Sequence, residues 1–239
     1  MNHIIHRAGD RGVGEYGWLS TRYSFSFADW YDPQRMGFGV LRVLNDDVIA
    51  PQSGFDLHAH QNMEIVTIVT RGAVSHSDSM GNSYLVPAGD VQVMSAGSGV
   101  THSEKNASRD TPLELFQIWI LPRVLNTLPR YEQRSFGIGH KINTLELLVA
   151  PTREEDALRV DQDVFLWFGE YDKGKTISHT LRNSDSGVYL FVISGTIEVE
   201  GEILSSRDAI GITQNTVVDI QIRESGKFLL FEVPLVSSS

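Results

Sequence analysis

The chain contains no cysteine among its 239 residues. Disulfide bonds and thiolate metal ligands are therefore excluded, so a transition metal would have to be bound by imidazole and carboxylate groups. Positive charge is also scarce, because 20 basic residues stand against 30 acidic ones and leave a formal net charge of -10. A surface of this sign repels phosphate backbones and anionic lipids. We therefore expect no direct contact with nucleic acid.

Long apolar segments are missing as well. The N-terminal stretch MNHIIHRAGDRG has no apolar core of signal-peptide length, and no later run approaches the roughly 18 apolar residues of a membrane helix. Helical periodicity is weak throughout, and only REEDALR, residues 153–159, favours a short turn of helix. These absences indicate a protein of the cytoplasm without a membrane partner, either a monomer or a weak homo-oligomer.

Short runs rich in Val, Ile, Thr and Phe recur between Gly, Asp, Asn and Ser, which is typical of an all-β sandwich or barrel. Two of these runs resemble each other, IVTRGAVSH at residues 68–76 and FVISGTIEV at residues 191–199. Each has a glycine between two apolar stretches, and the pattern predicts hairpins turned at Gly72 and Gly195. The chain thus divides into two similar β units, although two copies are a weak repeat and one large sandwich is the alternative.

Two pairs of metal-binding side chains share the same spacing. His58 and His60 lie two residues apart in DLHAHQNME, and His102 and Glu104 repeat this spacing in GVTHSEKN. Side chains at positions i and i+2 of a strand point to the same face. Two such pairs on neighbouring strands would bring three imidazoles and one carboxylate to one point. That set suits a divalent iron, manganese, nickel, copper or zinc ion with positions left open for a substrate.

The surrounding sequence resembles a known family. The spacing G-x5-P-x-G in GNSYLVPAG, after H-x-H-x3-E in HAHQNME, resembles the two cupin motifs, and His102 with Asn106 completes H-x3-N. The twelve residues between Gly89 and His102 are similar to the pirin family of bicupins in particular. The likeness extends to GWLSTRYSFSFADWYDPQRMGFGVLRVLNDDVI and to MSAGSGVTHSE, so it covers nearly all of the first 135 residues. The C-terminal half is similar to the family in its strand pattern alone.

This resemblance implies an all-β bicupin fold, in which two jelly-roll β-barrels pack face to face. Residues 1–133 would form the N-terminal metal-binding barrel, and residues 134–239 a degenerate, metal-free C-terminal barrel. The second unit itself favours this division. Counting 14 and 12 residues back from Gly72 gives the two histidines of the first motif, whereas the same offsets from Gly195 give Leu181 and Asn183.

The resemblance also implies one divalent metal ion, expected to be iron(II), with manganese, nickel, copper or zinc as alternatives. Its ligands would match a set of four residues, which are His58, His60, His102 and Glu104. Many other cupins take the carboxylate ligand from the first motif, which is Glu64 here. We expect Glu104 to be the ligand and Glu64 to be an outer partner that orients a histidine. His76 is a second candidate for such an outer role.

Pirins that keep this ligand set are associated with quercetin 2,3-dioxygenase activity. The resemblance therefore implies an oxidoreductase that uses O2 to cleave a flavonol such as quercetin at its 2,3 bond and releases carbon monoxide. Glu104 would be the catalytic residue that accepts the proton of the substrate hydroxyl. The alternative is a non-enzymatic, redox-sensing metal protein that regulates a protein partner, as a transcription cofactor does. A metal-dependent isomerase or hydrolase is a third hypothesis, because one fold supports many reactions.

Overall fold

The computed structural model describes residues 3–138, 141–154 and 156–235. This part of the chain is built of strands, with a single short 3-10 helix at Ala8–Asp10, and it has no helix long and apolar enough to cross a membrane. The helical turn expected at REEDALR is wrong for the described residues. Ala157 N donates to Glu154 O at 2.7 Å in a tight turn before the next strand, while Glu155 lies outside the described part.

The strands are numbered here in chain order. The first twelve are β1 (His3–His6), β2 (Gly12–Glu15), β3 (Leu19–Tyr23), β4 (Leu41–Ile49), β5 (Gly54–His60), β6 (Glu64–Arg71), β7 (Ala73–Asp78), β8 (Ser83–Pro87), β9 (Asp90–Ser95), β10 (Val100–Asn106), β11 (Leu113–Ile120) and β12 (Arg130–Ser135). The remaining strands are β13 (Thr144–Ala150), β14 (Leu158–Arg159), β15 (Phe165–Tyr171), β16 (Thr176–Thr180), β17 (Ser186–Val199), β18 (Glu202–Ser205), β19 (Ala209–Ile212) and β20 (Val217–Pro234).

The first barrel consists of two facing sheets. The larger sheet has the order β12-β9-β6-β11-β4-β3-β2, and the smaller has the order β5-β10-β7-β8. Odd-numbered residues of β4, β6 and β11 point into this barrel, whereas buried even-numbered residues such as Leu44, Ile68 and Phe116 belong to the core shared with the other barrel. The alternation follows from the two-residue repeat of a strand.

The second barrel has the same plan in one continuous sheet. Its long strands β17 and β20 pair with each other along most of their length, and β15, β16, β18 and β19 flank them. Apolar faces of the two barrels pack on each other in a single cluster that includes Phe116, Phe168, Phe191 and Phe231. The predicted all-β arrangement of two barrels packed face to face is therefore confirmed.

The hairpins predicted at Gly72 and Gly195 are wrong. Gly72 has φ +78° and carries the chain from β6 in the large sheet to β7 in the small sheet. Gly195, with φ +86°, lies inside β17, where the pairing with β20 shifts register and the strand bends. A Cβ on Gly195 would lie 2.6 Å from Ser225 O. At both glycines the chain therefore bends from one face of a barrel to the other instead of reversing its direction.

The two barrels exchange edge strands. β1 precedes the first barrel in the chain but pairs antiparallel with β19 of the second barrel. β12 occupies the corresponding edge of the first barrel, where it pairs antiparallel with β9. A buried hydrogen bond holds β1 on the second barrel, because His6 Nδ1 lies 3.0 Å from the hydroxyl of Tyr189.

Candidate metal centre

Three histidines converge where β5 and β10 run side by side. His58 pairs directly with His102 in the antiparallel register, and His60 lies two residues further along β5. The ring centroids are 4.8 Å apart for His58 and His60, 4.4 Å for His58 and His102, and 4.9 Å for His60 and His102. One nitrogen from each ring falls within 4.8 Å of the others. The two-residue spacing thus brings these three predicted ligands together.

The hydrogen-bond partners of the histidine nitrogens, or their lack of partners, fit a bound metal ion. His102 is 1% exposed, and neither of its nitrogens has a hydrogen-bond partner among the described residues. His58 Nδ1 lies 2.7 Å from the backbone carbonyl of Asp56, which fixes the hydrogen on Nδ1 and leaves the other nitrogen free to bind a metal. Buried polar atoms without partners are costly, and a bound cation would satisfy them.

Glu104 lies deeper in the barrel than the three histidines. Its carboxylate is within 4.8 Å of ligand nitrogens of His76 and His102, and this second group shares His102 with the first. Glu104 is 2% exposed, so its charge depends on hydrogen bonds. Gln92 Nε2 donates to Oε1, Gln117 Nε2 donates to Oε2 at 2.7 Å, and Thr67 Oγ1 lies 3.2 Å from Oε1. The carboxylate is therefore held in place even without a metal.

The donors around Glu104 belong to one register row of the large sheet. Each residue of the row pairs with the next across neighbouring strands, in the order Gln133, Gln92, Thr67, Gln117, Asn45 and Tyr23. Tyr131 adds a hydroxyl that lies 3.0 Å from Gln92 Oε1, so the amide group of Gln92 must turn its N–H2 towards Glu104. We call this set of six the polar row.

The second barrel has an apolar row in the same place. Its members, paired in the same order, are Ile5, Ile210, Leu190, Leu230, Trp167 and Leu147. Leu190 precedes Gly195 by five residues, as Thr67 precedes Gly72. In the second sheet, apolar side chains thus occupy all six positions that correspond to the polar row around Glu104.

The ligand positions change in the same way. Ile220 pairs with Val199, four residues after Gly195, just as Glu104 pairs with His76, four residues after Gly72. Val218 then takes the place of His102, and neither side chain offers a ligand atom.

His179 pairs with Val218 and so takes the place of His58, which corrects the offset of Leu181 inferred from the sequence. The count failed because five residues connect β16 to β17, whereas three connect β5 to β6. Leu181 occupies the place of His60, since Leu181 N bonds Thr216 O just beyond the end of β16.

A cleft opens beside the histidines. It has a volume of about 520 Å³ and is lined in part by Ala59, His60, Gln61 and Thr101. An aromatic ladder continues from His60, whose ring centroid is 5.0 Å from that of Trp119, and Trp119 in turn lies 5.2 Å from Phe27. The size is in the range of small-molecule sites in proteins.

Comparisons with known proteins place this geometry in a family. A family model described as Pirin matches residues 6–120, and a model described as a quercetinase C-terminal cupin domain matches residues 147–233. Quercetin 2,3-dioxygenase from Escherichia coli K12 is 40% identical over 232 residues, which cover 97% of this chain and 99% of that protein. The chain belongs to the pirin family. A pirin-like protein from Caulobacter vibrioides is 39% identical over 92% of this chain and 95% of its own.

Solved structures agree with the fold of this pirin. The bacterial pirin YhhW from Escherichia coli, in complex with nickel(II), superposes with a TM-score of 0.93 at 39% identity and covers 98% of this chain and 100% of that chain. A quercetin 2,3-dioxygenase from Acinetobacter baumannii shares the fold at 21% identity, with a TM-score of 0.79 over 97% of this chain and 85% of that one. The predicted family and bicupin fold are confirmed.

The two outer candidates of this pirin lie in different places. Glu64 is buried but points away from the barrel interior, because it lies on the face of β6 opposite to Thr67. There Ser95 Oγ donates to Glu64 Oε2 at 2.7 Å, and Arg130 Nη2 lies 3.9 Å away. The structure does not bring Glu64 to the histidines. His76 is fully buried against the site, with its ring centroid 5.5 Å from that of His102.

The sequence reasoning missed the residues that hold Glu104. Gln92 and Gln117 each interrupt an apolar strand, in DVQVM and LFQIW, at a position that points into the barrel. A lone glutamine in such a run is the signal that could have found them, because a buried amide needs partners. Nothing local indicates that both amides meet the same carboxylate.

Burial and the neighbouring imidazoles lower the pKa of His60 to about 4 and that of His102 to about 3. In the metal-free protein both rings are therefore neutral well below the ordinary histidine pKa of 6.5. The unfolded chain binds more protons than the folded protein as the pH falls below 6.5, so acid destabilises the fold.

We expect the free energy of unfolding of the metal-free protein to fall between pH 6.5 and pH 4, and to fall less steeply in His102→Gln. The variant loses one group that takes up a proton only on unfolding, a contribution of about 1.4 kcal/mol per pH unit. Urea unfolding in the presence of a chelator measures both slopes. Equal slopes for the two proteins would contradict the assignment of a neutral buried imidazole.

Replacing Gln117 by leucine, the residue of the apolar row at this position, is expected to destabilise the metal-free protein by about 1–3 kcal/mol. Glu104 loses one of its donors, and the Thr67 hydroxyl loses the Gln117 Oε1 acceptor that lies 3.0 Å away. Urea unfolding at pH 7 measures the change. Gln34→Leu on the exposed surface is the control, expected to stay within about 0.5 kcal/mol. An equal effect of both substitutions would argue against a held carboxylate.

Proposed function

We propose that this pirin is a metal-dependent dioxygenase that cleaves a flavonol such as quercetin at the 2,3 bond with O2 and releases carbon monoxide. The observation that carries the proposal is the cluster of His58, His60 and His102 with a held carboxylate next to it, beside a cleft of about 520 Å³ that His60 lines. The name of the Escherichia coli relative, quercetin 2,3-dioxygenase, supports the same reaction. Substrate and O2 are the only small-molecule partners that the proposal requires.

The three histidines and Glu104 would hold one divalent ion, for which we propose iron(II). Nickel(II) is the ion named in the structure of YhhW, and manganese, copper and zinc suit the same donor types. The ion would supply Lewis acidity that makes the flavonol hydroxyl easier to deprotonate.

Glu104 is the group proposed to take the proton from the substrate hydroxyl. Its carboxylate is acceptor-only when ionised, and the amides of Gln92 and Gln117 keep it oriented in the barrel. Trp119 and Phe27 form an aromatic wall next to His60, against which a flat flavonol would stack. The apolar residues around the site would exclude water from the reaction.

An anaerobic experiment tests this proposal. Protein loaded with iron(II) is mixed with quercetin without oxygen, and oxygen is then admitted. We expect the flavonol absorbance to persist until oxygen enters and then to fall, with O2 uptake and carbon monoxide release in equal amounts. His58→Ala should be inactive, because it removes a proposed ligand.

Loss of colour without oxygen, or full activity of His58→Ala, would overturn the proposal. A protein that binds metal but leaves quercetin intact would instead favour the regulatory alternative, in which oxidation of the metal changes binding to a protein partner. Residence in the cytoplasm is also part of the proposal.

A further inference from the structure

His76 and Asp78 form a buried pair on β7, the strand beside β10. Both side chains are inaccessible to solvent, and His76 Nε2 lies 3.1 Å from Asp78 Oδ2. The carboxylate is anchored on its other oxygen, where the backbone N–H groups of Met80 and Asn82 donate to Oδ1 at 2.9 and 3.1 Å. Because a carboxylate only accepts, the hydrogen of His76 must lie on Nε2.

The opposite nitrogen of His76, Nδ1, then carries a lone pair, and a ligand nitrogen of His76 lies within 4.8 Å of ligand atoms of His102 and Glu104. His76 Nδ1 is buried and has no hydrogen-bond partner among the described residues, and the same is true of both nitrogens of His102. The two rings are 5.5 Å apart between centroids and are tilted by 53°. The ring of Tyr131 lies over His76 at 4.6 Å and limits its rotation.

One arrangement satisfies all three of these nitrogens. A neutral His102 has one N–H and one lone pair. The two rings are not hydrogen-bonded to each other in this structure. The arrangement therefore requires that, on metal binding, the N–H of His102 donates to His76 Nδ1 while the remaining nitrogen of His102 presents its lone pair to the ion shared with His58 and His60. A histidine ligand whose other nitrogen is held by an acceptor is the usual arrangement at metal sites. His58 follows the same rule through the carbonyl of Asp56.

We propose that Asp78 and His76 are positioning residues for the metal site, which act through His102 as a relay in the order Asp78, His76, His102 and metal. The pair fixes the tautomer of His102 and aims its free nitrogen at the ion. The relay concerns metal binding and rests on the proposed metal site, but it does not depend on the identity of the substrate.

Asp78→Asn tests the relay from a distance. The two backbone donors keep an oxygen at the position of Oδ1, so the new amide N–H2 would face His76 Nε2 and also Asn82 Nδ2, which donates to Oδ2 at 2.8 Å. His76 must then place its hydrogen on Nδ1, where it opposes the N–H of His102. We expect the affinity for nickel(II), measured by competition with a chelator, to fall about 10- to 100-fold. The visible absorption of the bound nickel should shift, because the geometry of one ligand changes.

The second barrel supplies a matched control. His179 Nε2 lies 3.3 Å from the buried carboxylate of Glu232, which also accepts from the backbone N–H groups of Arg182 and Asn183. Glu232→Gln therefore removes the same kind of buried charge from a histidine that belongs to neither group of ligand atoms found among the described residues. We expect it to lower the melting temperature without changing nickel(II) affinity.

A nickel(II) affinity of Asp78→Asn within twofold of the unaltered protein would overturn the relay, as would an equal loss in Glu232→Gln. If Asp78→Asn does not fold, His76→Phe serves instead, because phenylalanine keeps the ring packing under Tyr131 while it removes the Nδ1 acceptor and the Nε2 donor to Asp78. It should also lose affinity at least about 10-fold. Nickel binding needs no turnover, so this test can still be carried out if the unaltered protein is inactive on quercetin. If the unaltered protein is active but the variants bind nickel(II) as tightly as it does, the relay is contradicted and the proposed reaction is not.

Discussion

Replacing His102 by alanine is expected to lower the affinity for nickel(II) at least about 100-fold, more than the loss of an outer partner costs. His102 is the member that the two groups of ligand atoms share, and its side chain is buried between them. Flavonol bleaching by the iron-loaded protein should disappear with it. Competition with a chelator measures the first effect and an oxygen electrode the second.

His179→Ala is the control for that substitution, because His179 occupies the place of His58 in the barrel whose other ligand positions are apolar. Its removal should cost stability through lost packing on Trp167, whose ring lies 4.7 Å away, and leave metal binding unchanged. Nickel(II) affinity retained in His102→Ala would mean that the ion binds elsewhere.

Glu104→Gln is expected to lower flavonol turnover at least about 100-fold, the range that a lost general base costs. The new amide would present N–H groups to donors that already point inwards from Gln92 and Gln117. Turnover is measured at saturating flavonol with the metal content of each sample determined, so that loss of the base is separated from loss of the ion. We expect nickel(II) affinity to fall as well, because Glu104 is a proposed ligand, so turnover is compared at equal metal occupancy.

Glu64→Gln is the matched control for the base. It makes the same change on the opposite face of β6, where the carboxylate contacts Ser95 and Arg130. Turnover and metal affinity should both stay within about twofold of the unaltered protein. If Glu64→Gln were the more damaging of the two substitutions, the carboxylate of the first motif would be the functional one.

The convergence of the histidines was predictable because it depends on a local rule. The two-residue repeat of a strand puts His58 and His60 on one face, and the same rule applies to His102 and Glu104. The two pairs then form one site if β5 and β10 are neighbouring strands, which the spacing of the two motifs favours. Composition and strand pattern likewise sufficed for an all-β chain in two units.

The predictions from sequence that were wrong or incomplete depend on pairing between distant segments. A glycine with positive φ looks the same in sequence whether the chain reverses or bends, and only the later strands decide that Gly72 begins a crossover. The relay through His76 also escaped the sequence, because the tautomer of a histidine depends on which neighbours its two nitrogens meet. The sequence offered His76 as a candidate for an outer role but could not assign its partner.

The exchange of edge strands has a consequence for synthesis. β1 precedes the other described strands, yet its partner β19 is Ala209–Ile212, so the edge of the second barrel that β1 covers cannot form until β19 has been synthesised. The metal-binding barrel closes earlier, once β12 has emerged and paired with β9. β1 therefore stays without its partner while the strands of the histidine cluster pair, and it joins the apolar barrel only after β19 has been made.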